Sequence, residues 1–107
     1  MTTFDDKEKA AENKYAHDKE QEFKIHARAH RMLGLWAAEK MGFSKDQAEE
    51  YAKSIVVAEL AKADFHHVME KVRHDLLTRD VHVSDHAIRA EIFRLEQIAR
   101  DQVNADK

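Results

Sequence analysis

Apolar residues recur at helical spacing along most of the chain. Ile25, Ala29, Met32 and Trp36 follow an i, i+4, i+7, i+11 pattern, which predicts one continuous helix from about Lys19 to Met41. Three later stretches show the same kind of apolar face, formed by Ala48, Tyr51, Ala52, Ile55, Val56 and Leu60; by Phe65, Val68, Met69, Val72 and Leu76; and by Ile88, Ile92, Leu95 and Ala99. Few runs alternate with period two, so we predict an all-α fold, a small four-helix bundle.

The links between the predicted helices carry recognisable start and stop signals. Gly42 is expected to end the first helix in a left-handed conformation, with Phe43 packing back on it. Ser44 and Gln47 form a capping box for the second helix. The N-caps of the third and fourth helices are predicted from the residue types at two further positions, Asp64 and Ser84.

Gly34 lies in the middle of the first predicted helix, where glycine costs about 1 kcal/mol relative to alanine. A residue that weakens the helix at this point needs a compensating reason. We expect another helix or an aromatic ring to approach the backbone closely there.

Residues 1–22 differ from the rest of the chain. They carry seven acidic residues and four lysines, whereas the remainder is neutral. Their apolar stripe of Phe4, Ala11 and Tyr15 is too sparse to offset the entropy of ordering about twenty residues against the chain's own core. We therefore predict two parts: residues 1–19, disordered or nascent helix when free, and residues 20–107, the four-helix bundle domain. A solvated tail without a role remains an open alternative.

Composition excludes several classes of protein. The chain has no cysteine, so disulfide and thiolate chemistry are absent, which allows a cytoplasmic location. The start lacks the pattern of a signal peptide, and no apolar run is long enough for a membrane span, so no direct membrane insertion is expected. The net charge of −3 argues against a nucleic-acid partner.

Eight histidines in 107 residues are unusual. His26 and His30 have the i, i+4 spacing that can chelate a metal, but neither a Glu-x-x-His pair nor a His-Glu-x-x-His motif accompanies them. We therefore expect no metal and no cofactor. Histidine titrates near pH 6.5, close to the sequence pI of about 6.2. His17, His26 and His30 are therefore candidate pH sensors, although the simpler interpretation, which we favour, is that the histidines merely fill polar helix surface.

No constellation of catalytic residues is evident. The sequence has no glycine-rich phosphate loop, no Gly-x-Ser-x-Gly and no carboxylate pair in an apolar setting. Its acidic residues lie among other charges, as on a solvated helix surface. We predict that the protein is not an enzyme.

Three stretches carry a family resemblance: Met1-Thr2-Thr3-Phe4-Asp5-Asp6-Lys7-Glu8-Lys9-Ala10, Tyr15-Ala16-His17-Asp18, and Leu33-Gly34-Leu35-Trp36-Ala37-Ala38 through Met41-Gly42. They resemble the zeta subunit of α-proteobacteria, an inhibitor of the F1Fo-ATP synthase. The similarity extends over nearly the whole chain and is strongest in the first 42 residues. It weakens after Ala58, where Glu59 to His67 is richer in histidine than expected for the family.

The resemblance implies a regulatory protein that blocks ATP hydrolysis. It implies that the N-terminal segment enters a catalytic αβ interface of the F1 sector beside the rotor γ subunit, while the bundle anchors it. The chain would then be monomeric when free, and peripheral to the inner membrane through F1. The residues that the resemblance assigns to the inhibitory segment are Thr2, Thr3, Phe4, Asp5, Asp6, Lys7, Glu8, Lys9, Lys14 and Tyr15.

A second hypothesis comes from a different class of function. The bundle is a sensor of pH or of a small ligand, either a nucleotide or a metal, and acts as an adaptor that reports to a partner. Ligand-dependent spectral changes near Trp36 or the histidines would distinguish this function from inhibition through the N-terminal segment.

Overall fold

The chain forms four helices in the computed structural model, which describes the backbone of residues 3–62 and 65–106 and the side chains of residues 19–58 and 66–106. The helices are α1 (Thr3–Lys40), α2 (Lys45–Lys62), α3 (Phe65–Thr78) and α4 (Asp85–Ala105). Turns and irregular links account for the other described residues. This confirms the all-α prediction. Over the same ranges, no helix has the length and apolar character needed to cross a membrane.

Helix α1 is longer than the sequence pattern predicts. Its backbone begins at Thr3 rather than near Lys19. The extension is physically reasonable because no proline or glycine precedes Gly34 and the early residues are mostly good helix formers. The apolar periodicity marked only the part of α1 that packs against the bundle. That residues 1–19 are disordered or nascent helix when free stays a prediction.

The bundle core is formed by the predicted apolar faces. Two clusters of buried side chains hold the four helices together. The larger cluster contains Leu33, Ala37, Ile55, Val68, Met69, Val72, Leu76, Ile88, Ile92 and Leu95. The smaller cluster joins α1 to the C-terminal half of α4 through Ile25, Ala29, Ala99 and Val103. The predictions for Leu60, Asp64 and Phe65 lie outside the residues whose side chains are described.

The corner between α1 and α2 has the predicted geometry. Gly42 has φ of 75°. Its N–H donates to the Glu39 carbonyl at 3.1 Å, and the Phe43 N–H donates to the Ala38 carbonyl at 3.0 Å, which is the Schellman pattern. Ser44 and Gln47 then close the capping box in both directions, at 3.0 and 3.3 Å. The chain therefore reverses direction within a few residues.

The link between α3 and α4 contains a second Schellman motif that the sequence analysis missed. Asp80 occupies the left-handed position with φ of 61°. Its N–H donates to the Leu77 carbonyl at 2.9 Å, and the Val81 N–H donates to the Leu76 carbonyl at 2.9 Å. Val81 and Val83 then pack against the larger cluster. Ser84 caps α4, because its hydroxyl accepts a 3.1 Å hydrogen bond from the Ala87 N–H.

Candidate functional site

The register of α1 against α4 determines which part of α1 the bundle holds. The smaller buried cluster combines Ile25 and Ala29 of α1 with Val103 and Ala99 of α4. Further along α1, Leu33 shares the larger cluster with residues from the first half of α4. The two helices are therefore antiparallel, and the C-terminal end of α4 lies against the region of α1 around Ile25.

A charged clasp marks the end of this contact among the described side chains. The Arg100 guanidinium donates to both carboxylate oxygens of Glu22, at 2.6 and 3.2 Å. The hydrogen bonds from this guanidinium lower the pKa of Glu22, and a weaker contribution comes from its charge and that of His26. A bidentate pair of this kind fixes direction as well as distance. Glu22–Arg100 therefore orients α1 where it leaves α4.

A second polar contact lies beside the clasp. Arg28 reaches the side-chain oxygen of Gln102 at 3.4 Å and the Asp106 carboxylate at 3.6 Å. Both partners belong to the C-terminal end of α4 or to the residue after it. The end of α4 is therefore held to one face of α1 by polar contacts on either side of the smaller apolar cluster.

The residues assigned to inhibition lie N-terminal to this clasp. The structure places the backbone of Thr3 through Tyr15 in α1, continuous with the helix that the bundle holds. Their side chains, like Thr2 as a whole, lie outside the described residues. The backbone from Thr3 to Tyr15 is therefore helical. The contacts of each assigned side chain stay a prediction.

The histidines do not form a metal centre among the described residues. His26 lies 3.5 Å from the Glu22 carboxylate, and its ring meets that of His30 edge-on with centroids 6.3 Å apart. His30 is buried, with 1% of its surface exposed, whereas His26 is partly exposed. The third candidate pH sensor, His17, lies outside the described side chains. The two described candidates therefore differ in environment, and their role in sensing pH stays a prediction.

A polar contact between α2 and α3 stiffens the bundle on its other side. The Tyr51 hydroxyl donates to an Asp75 carboxylate oxygen at 2.8 Å, and Lys71 donates to the same oxygen at 3.2 Å. Burial raises the pKa of Tyr51, and the adjacent carboxylate raises it further through the hydrogen bond and its charge. This contact is well removed in sequence from the N-terminal segment, and we assign it a structural role.

An exposed groove next to the clasp was missed by the sequence analysis. Phe23, with 57% of its surface exposed, lies at one end of a groove of about 720 Å³. Ala27 and Val56 also line this groove, together with three cationic side chains, Lys24, Arg28 and Arg31. The available signal was that Phe23 does not fit the apolar face through Ile25. A contiguous exposed apolar patch, rather than a single exposed side chain, marks a contact surface.

Comparisons with known proteins agree with this architecture. A family model described as ATPase inhibitor subunit zeta matches residues 1–102. The chain is also similar to a protein solved by solution NMR, with 34% sequence identity and a TM-score of 0.68. That match covers 79% of this chain and 96% of the other. No curated protein sequence matches the chain.

Proposed function

This chain belongs to the ATPase inhibitor subunit zeta family, and on that premise we propose that it blocks ATP hydrolysis by inserting residues 1–19 into the F1 sector of ATP synthase. Membership makes the protein an inhibitory subunit rather than an enzyme. The observation that carries the proposal is that the family match includes the N-terminal segment as well as the bundle. One family model therefore covers both the proposed inhibitory segment and the bundle that anchors it.

The geometry of α1 supports this division of labour. One helix, Thr3–Lys40, contains both the assigned segment and the residues that pack in the core. From Thr3 to the clasp at Glu22, an α-helix spans about 29 Å at 1.5 Å per residue. A rod of that length, held at one end by the bundle, has the reach to enter a cleft between two subunits. Because the helix is continuous, the bundle also holds its N-terminal end against displacement.

The proposed site is a catalytic αβ interface beside the rotor γ subunit. A helix wedged there opposes rotation in the hydrolytic direction because the interface must open and close during each turn. Phe4 and Tyr15 are the proposed apolar anchors, since aromatic side chains dominate the energetics of most interfaces. The remaining assigned side chains supply the polar contacts: Thr2, Thr3, Asp5, Asp6, Lys7, Glu8, Lys9 and Lys14.

The proposed location follows from the partner. The protein acts at the cytoplasmic face of the inner membrane and is held there through F1. It is a monomer when free, and it binds the α, β and γ subunits when inhibiting. We propose no nucleotide, metal or nucleic acid as a requirement for binding.

ATP hydrolysis by purified F1, measured against inhibitor concentration, tests the proposal. The full-length chain is expected to inhibit, and the Phe4→Ala/Tyr15→Ala variant to need at least tenfold more protein for half-inhibition, because two aromatic anchors are lost. Phe93→Ala is the matched control. It removes an exposed aromatic side chain from α4, far along the chain from the segment, and should inhibit like the unmodified protein. Equal inhibition by all three proteins would contradict the assignment of the anchors.

A further inference from the structure

The groove that begins at Phe23 combines an apolar floor with a cationic rim. Its apolar floor is formed by Phe23, Ala27 and Met32 of α1 with Val56 of α2, and Gln102 of α4 also lines the groove. Exposed apolar side chains that cluster in this way, rather than singly, are typical of interaction surfaces. The side chains described around the floor leave it open to solvent.

The position of the floor on α1 explains why it is exposed. Phe23, Ala27, Gly34 and Ala38 follow each other at spacings of four, seven and four residues, which keeps them on one side of the helix. Helix α2 packs closely on this side at Gly34, and Ala38 is fully buried. Towards the N-terminus of α1, the same side emerges from the bundle at Ala27 and Phe23. The groove is thus an extension of a helix-packing surface, and its natural occupant is a further helix.

The rim determines the charge of that occupant. Lys24, Arg28 and Arg31 stand along α1 at i, i+4 and i+7, and each is more than 40% exposed. Lys24 is 3.9 Å from Glu20, and Arg28 is 3.6 Å from Asp106, so two of the three ion pairs are long. Exposed pairs of this kind contribute little to stability and exchange readily for carboxylates of a partner. The complementary surface is a helix with an apolar face bordered by acidic residues.

We propose that the Phe23 groove is a second docking surface for ATP synthase and binds an acidic amphipathic helix of the F1 sector. The inference rests on the proposed function. Phe23 directly follows Glu22 of the clasp and lies just C-terminal to the proposed inhibitory segment, residues 1–19. A partner that accommodates the segment therefore comes up against this end of the bundle. The groove adds a contact that slows dissociation, whereas the N-terminal segment performs the inhibition.

A matched pair of double variants tests the groove in the full-length protein. Phe23→Ala/Lys24→Glu removes the exposed aromatic ring and reverses one rim charge. Phe93→Ala/Lys45→Glu makes the same chemical changes at exposed positions away from the groove, and a negative charge suits the start of α2. The dissociation constant for purified F1 is measured in solution with each protein, because the C-terminal end of α4 lies beside the groove and attachment there would block it. Helical content and Trp36 fluorescence establish that both variants are folded.

The groove variant is expected to bind F1 about tenfold more weakly, chiefly through faster dissociation, and the control within about twofold of the unmodified chain. If the groove variant binds F1 within twofold of the unmodified chain and still inhibits, the groove is not a docking surface, and the proposed inhibitory function still stands. Failure of the unmodified chain to bind F1 would overturn both the docking role of the groove and the proposed inhibitory function. Groove-dependent binding to phosphatidylglycerol vesicles, with F1 affinity unaffected, would assign the groove to a membrane and overturn the proposal.

A cross-linking experiment identifies the occupant directly and does not depend on a destabilising substitution. A photoreactive benzoyl-phenylalanine at position 23 keeps an aromatic side chain in the groove. Illumination of the complex with F1 is expected to join it to a helical segment with a net negative charge. A cross-link to a neutral or basic segment, or no cross-link from position 23 in an inhibited complex, would overturn the proposal.

Discussion

Gly34 of α1 lies so close to Ala52 of α2 that a Cβ atom at position 34 would stand 2.6 Å from the Ala52 Cα atom. Such a Cβ would also be 3.2 Å from the Ala52 side chain and 3.3 Å from Ile55. The backbone of α2, rather than a movable side chain, therefore requires glycine here. This crossing holds α2 against the helix that carries the proposed inhibitory segment.

Gly34→Ala is expected to destabilise the protein by about 1–2 kcal/mol. Overpacking a close contact costs about 1–3 kcal/mol, and the better helix propensity of alanine returns about 1 kcal/mol at most. Urea unfolding followed by circular dichroism measures the difference. Adding Ala52→Gly should not restore stability, because the shortest contact is with the Cα atom, which remains. A more stable Gly34→Ala protein would show that helix propensity alone governs this position.

Asp80→Gly is expected to stabilise the protein by about 0.5–1 kcal/mol. A non-glycine residue in the left-handed region costs about 1–2 kcal/mol, partly offset by the greater entropy that glycine gives the unfolded chain. The exposed Asp80–His82 pair at 2.9 Å is lost at little cost. Asp80→Ala is the control and should destabilise. Thermal unfolding that ranks glycine below aspartate would contradict the role assigned to the φ of 61°.

Arg100→Gln is expected to loosen the N-terminal part of the bundle while lowering global stability by less than about 1 kcal/mol, because the pair is exposed. Amide exchange near Glu22 and Ile25 should accelerate. Arg94→Gln is the matched control, since its partner Glu91 lies on the same helix. Unchanged exchange around Glu22 in the Arg100 variant would contradict the clasp.

The clasp also predicts a pH dependence. Because Arg100 lowers the pKa of Glu22 below its usual 4.5, the folded state binds this proton less readily than the unfolded state. The clasp therefore stabilises the protein above about pH 4.5, and its contribution disappears as the pH falls through the lowered pKa. The stability difference between the unmodified protein and Arg100→Gln should shrink over that acidic range. A difference that stays constant down to pH 3 would point to lost packing instead of lost charge.

Tyr51→Phe is expected to cost about 1–2 kcal/mol, because it removes a hydrogen bond to a half-buried carboxylate. The raised pKa of Tyr51 adds a second test in a Tyr15→Phe background, where Tyr51 is the only tyrosine. The folded state retains this proton better than the unfolded state, so stability falls as the pH rises above about 10. Ionisation of Tyr51 near pH 10 in the folded protein, followed by ultraviolet absorbance, would contradict the hydrogen-bonded geometry.

Local sequence rules predicted much of the fold because the determining interactions are short in range. The Gly42 turn, the Ser44–Gln47 capping box and the Ser84 cap each depend on residues a few positions apart. The apolar faces follow from a period of 3.6 residues, which the buried positions of α4 preserve from Ile88 to Val103. A close approach at Gly34 was predictable because glycine weakens a helix and therefore needs a compensating reason. The identity of its partner, Ala52, was not predictable.

Features that depend on how helices meet were not predictable from the sequence alone. The Glu22–Arg100 clasp joins residues far apart in the chain, and both are charged residues of ordinary appearance. Asp80 was missed because aspartate at a left-handed position has no distinctive local pattern. Phe93 is 66% exposed although it follows the buried Ile92, because it lies about 100° around α4 from that residue. The start of α1 at Thr3 was missed because residues with no core face give no periodic signal.

We propose that residues 1–19 inhibit F1 and that the rest of the chain anchors them. The most direct measurement is ATP hydrolysis by purified F1 in the presence of the full-length chain or of a chain lacking Met1 to Asp18. Helical content and Trp36 fluorescence must first show that the shortened chain keeps its bundle. We expect the full-length chain to inhibit hydrolysis and the shortened chain not to inhibit it, even at a hundredfold higher concentration. Inhibition by the shortened chain at a similar concentration would contradict it.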